Sequence, residues 1–234
     1  MRTALVSVAA ALVFLAGCEV DSGPILTGTA TVEAGKADTV RAEIRMGAGN
    51  LQVEGGSSRL LDATFRYSQS AGRPVVHYDV MGGRGLLTVE SPQDGSVRGR
   101  NAKNEWALRM GTDLPLDLSV RLGAGDSRVD VSQLALRSAD VNMGAGNLTF
   151  NMANRYTQDV TVQINGGVGE AHIRLPKETG VVVDAAGGIG SVQANGLTKR
   201  DDGKYYNSAW AADKPAVHMK VRGGVGDIIL NVGE

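Results

Sequence analysis

Seven copies of Gly-x-Gly punctuate the chain in similar surroundings, and they constrain its fold more than any other feature. They are Gly47-Ala48-Gly49, Gly83-Arg84-Gly85, Gly123-Ala124-Gly125, Gly144-Ala145-Gly146, Gly167-Val168-Gly169, Gly188-Ile189-Gly190 and Gly224-Val225-Gly226. Successive copies are 36, 40, 21, 23, 21 and 36 residues apart. A unit of 21–23 residues, with longer units read as the same unit plus an insertion, points to stacked repeats. The flanks repeat too. Apolar residues sit one and three positions before the first glycine, as in Ile44 and Met46 or Val120 and Leu122. They sit two and four positions after the second, as in Leu51 and Val53 or Ile228 and Leu230. Alternation of period two means a strand on each side. The inward parity flips once across the motif, as a chain needs when it turns a corner and keeps one face inward. Glycine suits that corner because it tolerates positive φ and close backbone approach. Stacked copies would line up as a glycine column.

The expected fold is therefore all-β: a β-solenoid of stacked coils with a repeated Gly-x-Gly corner. A β-sandwich is the alternative, although it would usually vary its corners. Composition fits a thin aliphatic core, with 42% apolar and only 4% aromatic residues. Glycine accounts for 32 of 234 residues and proline for 6, so neither a collagen nor a Pro/Gly linker describes the chain.

Chemical readings of the glycines fare worse. A phosphate loop needs Gly-Lys-Ser/Thr after them, and no copy has it. A dinucleotide fingerprint needs a following helix where strands are expected. Gly223-Gly224-Val225-Gly226-Asp227 approaches a calcium nonapeptide, but its Asp is one residue early and the period is wrong. Three histidines and one cysteine exclude a Cys/His zinc site and an intrachain disulfide. Net charge is −1, without the basic stripe of a nucleic-acid binder. No cofactor, metal site or catalytic constellation is expected, and the chain reads as a non-enzyme.

The first residues read as a targeting segment. Met1-Arg2-Thr3 precedes thirteen apolar or small residues, Ala4 to Ala16. That run is shorter than the roughly 20 residues of a membrane-spanning helix and suits a secretory signal. It ends Leu15-Ala16-Gly17-Cys18, which resembles a bacterial lipobox, with cleavage before the cysteine and lipid on its thiol. Residues 1–17 are thus assigned to the signal peptide, 18–30 to the lipidated cysteine and a tether, and 31–234 to the repeat domain. The expected location is outside the cytoplasm, anchored through Cys18 to a bacterial membrane.

Two insertions break the repeat. Residues 91–106 are polar and place Arg98, Arg100 and Lys103 close together, either in a solvated loop or as a patch for anionic lipid or wall polymer. Residues 198–216 hold Tyr205, Tyr206 and Trp210, three of the ten aromatics. They are the candidate ligand-binding residues, for an envelope glycan or lipid. The competing reading is a lid over the last coils, because solenoid ends need caps. The sequence 221–234 leaves little to cover a terminal edge, so a second copy of the chain is a further candidate partner.

The segments MGAGNLQVEGG (46–56), DVMGGRGLLTVESP (79–92), NEWALRMGTDLPLDLSVRLGAGDSRVDVSQLAL (104–136), NMGAGNLTFNM (142–152) and VRGGVGDIILN (221–231) resemble the bacterial toast-rack family of envelope proteins. The resemblance covers nearly all of residues 30–234 and implies a β-solenoid without enzymatic activity. The family is similar to the exported domain of LiaF-type proteins, which restrain cell-envelope stress signalling. This chain departs from that type in having a lipobox instead of several membrane-spanning helices. The resemblance implies a scaffold or interaction surface in the envelope, with an envelope protein or wall polymer as partner.

Overall fold

Inward Val, Ile, Leu and Met alternate with outward Arg, Asp, Asn and Thr along most of the chain, so nearly every segment becomes a strand with one dry face. A computed structural model describes residues 23–92, 97 and 102–233. In chain order the strands are β1 (Ile25–Val32), β2 (Thr39–Ala48), β3 (Asn50–Ser57), β4 (Leu61–Ser68), β5 (Val75–Met81), β6 (Arg84–Glu90) and β7 (Asn104–Gly111). Then follow β8 (Leu116–Ala124), β9 (Ser127–Asp130), β10 (Leu136–Ala145), β11 (Leu148–Asn151), β12 (Val160–Val168) and β13 (Ala171–Leu175). The last are β14 (Gly180–Ile189), β15 (Val192–Asn195), β16 (Thr198–Lys199), β17 (Tyr205–Tyr206), β18 (Ala216–Val225) and β19 (Ile228–Val232). The other regular element among the described residues is a short 3-10 turn at Gln69–Ala71.

Two sheets enclose one aliphatic core. The first runs β1-β4-β7-β3-β9-β11-β13-β19-β15 and the second β16-β17-β14-β18-β12-β10-β8-β2-β6-β5. Each coil gives one strand to each sheet, and neighbouring coils pair in parallel register: Ile44 lies beside Val120, Val120 beside Val141, and Val141 beside Ile164. This is a β-solenoid. The core is aliphatic along its length, yet its largest fully buried side chains are Trp106, Phe65 and Phe150. Phe65 of β4 and Trp106 of β7 meet edge to face at 5.6 Å.

Only the second glycine of a corner carries the turn: φ is between +122° and +139° at Gly49, Gly125, Gly146, Gly169, Gly190 and Gly226. Both glycines permit contact between coils. A β-carbon on Gly123, Gly144, Gly167, Gly224 or Gly188, or on Gly125, Gly146, Gly169, Gly226 or Gly190, would come within 3.0 Å of the neighbouring glycine carbonyl.

Four expectations change. Gly83 and Gly85 form no corner. Gly82 and Gly83, at φ +57° and +78°, make the two-residue turn of the antiparallel β5–β6 hairpin. The coil made of β6 and β7 has residues 91–103 where the other six have Gly-x-Gly, so the insertion replaces a corner. Second, residues 25–30 are not tether. They belong to β1, which pairs with β4 along its whole length. That edge strand is largely exposed and leaves no apolar alternation to read. Third, stacking order departs from chain order at both ends. The β6–β7 coil lies outside β2–β3, which it follows in sequence. Fourth, the C-terminal coil β18–β19 is not terminal in space. It inserts between β12–β13 and β14–β15 and is paired on both sides. The end coil is β14–β15.

Candidate interaction surface

Parallel register turns the outward side chains into rows that cross the coils. On the second sheet Arg45, Arg121, Asn142, Asn165 and Arg222 lie side by side. The Asn165 amide donates to Asn142 Oδ1 at 2.9 Å. Arg45 is neutralised by Glu43 and by Glu90, the latter at 3.5 Å. Arg222 donates to the Asp184 carboxylate at 2.7 Å and holds it below the ordinary carboxylate range. Arg121 has no carboxylate within ion-pair distance among the described residues. Arg121 lines an open trough of about 710 Å³ together with Gly47, Gly123, Gly144 and Gly167. This arrangement can receive a hydroxyl-rich or anionic group. A second open groove of about 660 Å³ crosses the first sheet past Gln52, Arg66, Glu105, Arg128 and Thr149.

The residues following each corner form another column. Asp126 Oδ1 accepts the Asn147 N–H at 3.0 Å, Asn147 Oδ1 accepts the Glu170 N–H at 3.1 Å, and Asp227 Oδ1 accepts the Ser191 N–H at 2.7 Å. Side chains too mixed for a metal ladder serve instead as caps for the next coil's backbone. Among the described residues, no group of three or more His, Cys, Asp and Glu is placed to hold a metal ion.

Tyr205, Tyr206 and Trp210 come together at the end coil. Tyr205 and Tyr206 form β17, which pairs antiparallel with Val183 and Val182 of β14. Trp210 packs edge-on against Tyr206 at 5.3 Å and His218 at 5.8 Å. The Arg200 guanidinium stands 4.0 Å from the Tyr206 ring centroid. The Tyr206 hydroxyl donates to Asp202 at 2.6 Å, which lowers the carboxyl's pKa and raises the phenol's. All three rings are half-buried, so they close the second sheet and keep part of each surface in solvent. His77 and His172 are exposed in separate strands.

Two asparagines escape sequence reasoning. Asn207, 4% exposed, accepts the Val181 N–H and donates to the carbonyls of Pro176 and Thr179. It locks the aromatic insertion to the end coil. Asn104 does the equivalent at the opposite end, donating to the Ala48 carbonyl and accepting from the Trp106 indole. A lone asparagine beside aromatics is the only sequence signal for either. Cys18, Arg98 and Arg100 lie outside the described residues, while Lys103 pairs with Glu105 at 3.2 Å. No helix among the described residues is long and apolar enough to cross a membrane.

Comparison with known proteins agrees with this architecture. The crystal structure of a candidate cell adhesion protein from Clostridium sporogenes ATCC 15579 has a TM-score of 0.86 and 30% identity, covering 90% of this chain and 100% of that one. A candidate adhesin from Bacteroides fragilis NCTC 9343 is 13% identical over 88% of this chain and 97% of its own, with a TM-score of 0.31. A candidate lipid binding protein from Parabacteroides distasonis ATCC 8503 is 12% identical over 90% and 98%, with a TM-score of 0.29. No curated protein matches the chain. The family described as the N-terminal domain of toast_rack, DUF2154, matches residues 21–174. That span is more than half of the sequence, and the chain belongs to the toast-rack family.

Proposed function

We propose that this protein is an exported, non-enzymatic interaction module of the bacterial cell envelope, held to a membrane through Cys18 and acting as an adhesion-type surface protein. The observation that carries the reading is the end-to-end likeness to the C. sporogenes candidate cell adhesion protein. The outer faces are in keeping with it. They are rigid rows of guanidinium, carboxylate and amide groups in open grooves, suited to a large polar partner. The lipobox supports the anchor, and two or more acyl chains hold stably. A scaffold role in envelope-stress signalling is the weaker reading, because the end-to-end likeness is to a candidate cell adhesion protein.

Cys18→Ala tests the anchor. Expected is loss of lipid labelling and release of soluble protein, and unchanged membrane retention would overturn the claim. Binding of the purified protein to isolated cell envelopes tests the interaction role, which fails if wild type does not bind. A second reading places an envelope glycan on Tyr205, Tyr206 and Trp210, favoured by their clustering within one cap. Peptidoglycan fragments should then quench Trp fluorescence in wild type but not when Trp210 is replaced by Ala.

A further inference from the structure

The two sheets do not end together at the β14–β15 coil. Beyond β14 the second sheet continues into β17 and β16, whereas the first sheet stops at β15. In a parallel ladder alternate residues of a strand bond to opposite neighbours. Ile228 N–H bonds to the Ser191 carbonyl at 2.9 Å, and Val192 stands opposite Ile228. Gln193 therefore faces β19, and the N–H and C=O of Val192 and Ala194 point away from it. The described residues supply no strand on that side. The core is open there as well. Val192 and Ala194 are only half-buried, while their neighbours Ile228 and Leu230 are 2% and 0% exposed. Beside this edge the corner column turns apolar. Its middle residues are Ala48, Ala124 and Ala145 in the early coils, then Val168, Val225 and Ile189, the last 72% exposed.

The opposite end of the same sheet shows how this molecule finishes such an edge. There β3 is followed outward by β7, β4 and β1, and β4 buries Leu61, Ala63 and Phe65 over the core. The cover is an extended strand with apolar residues at alternate positions. We infer that β15 is a docking edge for such a strand, supplied by a partner protein, which adds to the first sheet as its tenth strand. The inference deepens the interaction-module reading and rests on it. A second copy does not fit by pairing β15 with β15. A two-fold axis there would drive the two caps together, since each projects two strand positions past β14. The edge also suits a partner that arrives from outside. The chain enters the fold at β1, eight strand spacings away, roughly 40 Å from β15.

A labelled peptide copying residues 226–233 (GDIILNVG) is the probe, because β19 already occupies the other side of β15. Titrated into the purified protein, it should bind saturably, and the same peptide with proline at Ile229 should not. Ala194→Pro removes only an outward N–H, the one setting in which a strand accepts proline. It should weaken peptide binding at least tenfold with the thermal midpoint unchanged. Val192→Lys, which sets a charge over the open core, should do the same and serves if the proline variant misfolds. Absent binding to wild type, or equal binding to both folded variants, overturns the inference. Isolated cell envelopes separate it from the broader reading. If wild type and Ala194→Pro bind envelopes equally, the edge is rejected and the interaction role stands. If wild type itself does not bind envelopes, the interaction role is what fails.

Discussion

At the β2 end the corner column runs into Asn104, which bonds to Ala48 and leans on Gly49. At the β15 end the last corner, Gly188 to Gly190, presses back on Gly224 and Gly226, and the described residues place no coil beyond it. Among the described residues the first sheet is extended by three strands past β3 at one end and by none past β15 at the other. The difference teaches that the first glycine of a corner is directional. In every later corner it is required by the coil on its β2 side, so the same substitution should differ sharply between the first corner and any later one. Gly144→Ala should cost the most. Its β-carbon would come within 2.3 Å of the Gly123 carbonyl oxygen, and backbone cannot swing aside as a side chain can. Overpacking costs about 1–3 kcal/mol, and against backbone about 3 kcal/mol is expected by urea denaturation. Gly47→Ala meets nothing within 4 Å and has no positive φ, so its change should stay within about 0.5 kcal/mol. Similar losses at both sites would break the directional account.

The two asparagine locks sharpen the comparison at the next level. Asn104→Ala leaves the indole N–H of Trp106, itself 2% exposed, and the Ala48 carbonyl without their partner. Asn207→Ala strands the Val181 N–H and two carbonyls. Each buried group left unsatisfied costs about 1–3 kcal/mol, so about 2–3 kcal/mol is expected for either variant. Their consequences should differ in reach. Asn104 holds Trp106, which packs on Phe65 in the core, and its loss should lower the global unfolding midpoint. Asn207 holds a cap made of two-residue strands. Its loss should speed hydrogen exchange in β14 and β17 well before β8 or β10 is affected. Uniform exchange throughout would contradict a separable cap.

This division explains what the sequence could disclose. The corners were legible because a clash between stacked backbones admits one residue type, and the same clash recurs at each stacked pair of corners. Inward parity was legible from Ile44, Val120 and Val141 because a strand has period two. Stacking order was not. Nothing in VRGGVGDIILN states that β18–β19 will slide between two earlier coils, since every coil offers the same register to its neighbours. Gly83-Arg84-Gly85 looked like a corner because a hairpin turn wants the same residue as a corner, and only pairing partners tell them apart. Of the candidate site, the aromatic cluster and its capping alternative were both readable. Asn207, on which the cap hangs, was not, because a single buried amide leaves no period.

The smallest effects expected are electrostatic, and they again separate the two ends. At the β15 end Asp227 is held below the ordinary carboxylate range by the Ser191 N–H first and the Ser191 hydroxyl second. At the other end Glu105 is held down chiefly by Lys103, against an upward push from burial, with Arg66 adding to the lowering. For both groups the folded value lies below the unfolded one, so the unfolded chain binds more protons in acid and stability rises with pH. The contribution is fully present above the unfolded carboxylate value of about 4 and is lost as pH falls through the lowered folded value. The thermal midpoint of Asp227→Asn should therefore lie below wild type at neutral pH and meet it in strong acid, and Glu105→Gln should behave alike. Salt tells them apart. Asp227 leans on neutral donors, so its gap from wild type should survive about 1 M NaCl, where charges are screened beyond about 3 Å. Glu105 leans on exposed cations, and its gap should shrink. If Asp227 proves as salt-sensitive as Glu105, its backbone bond to Ser191 does not hold the end coil, and β15 is a looser edge than the register implies.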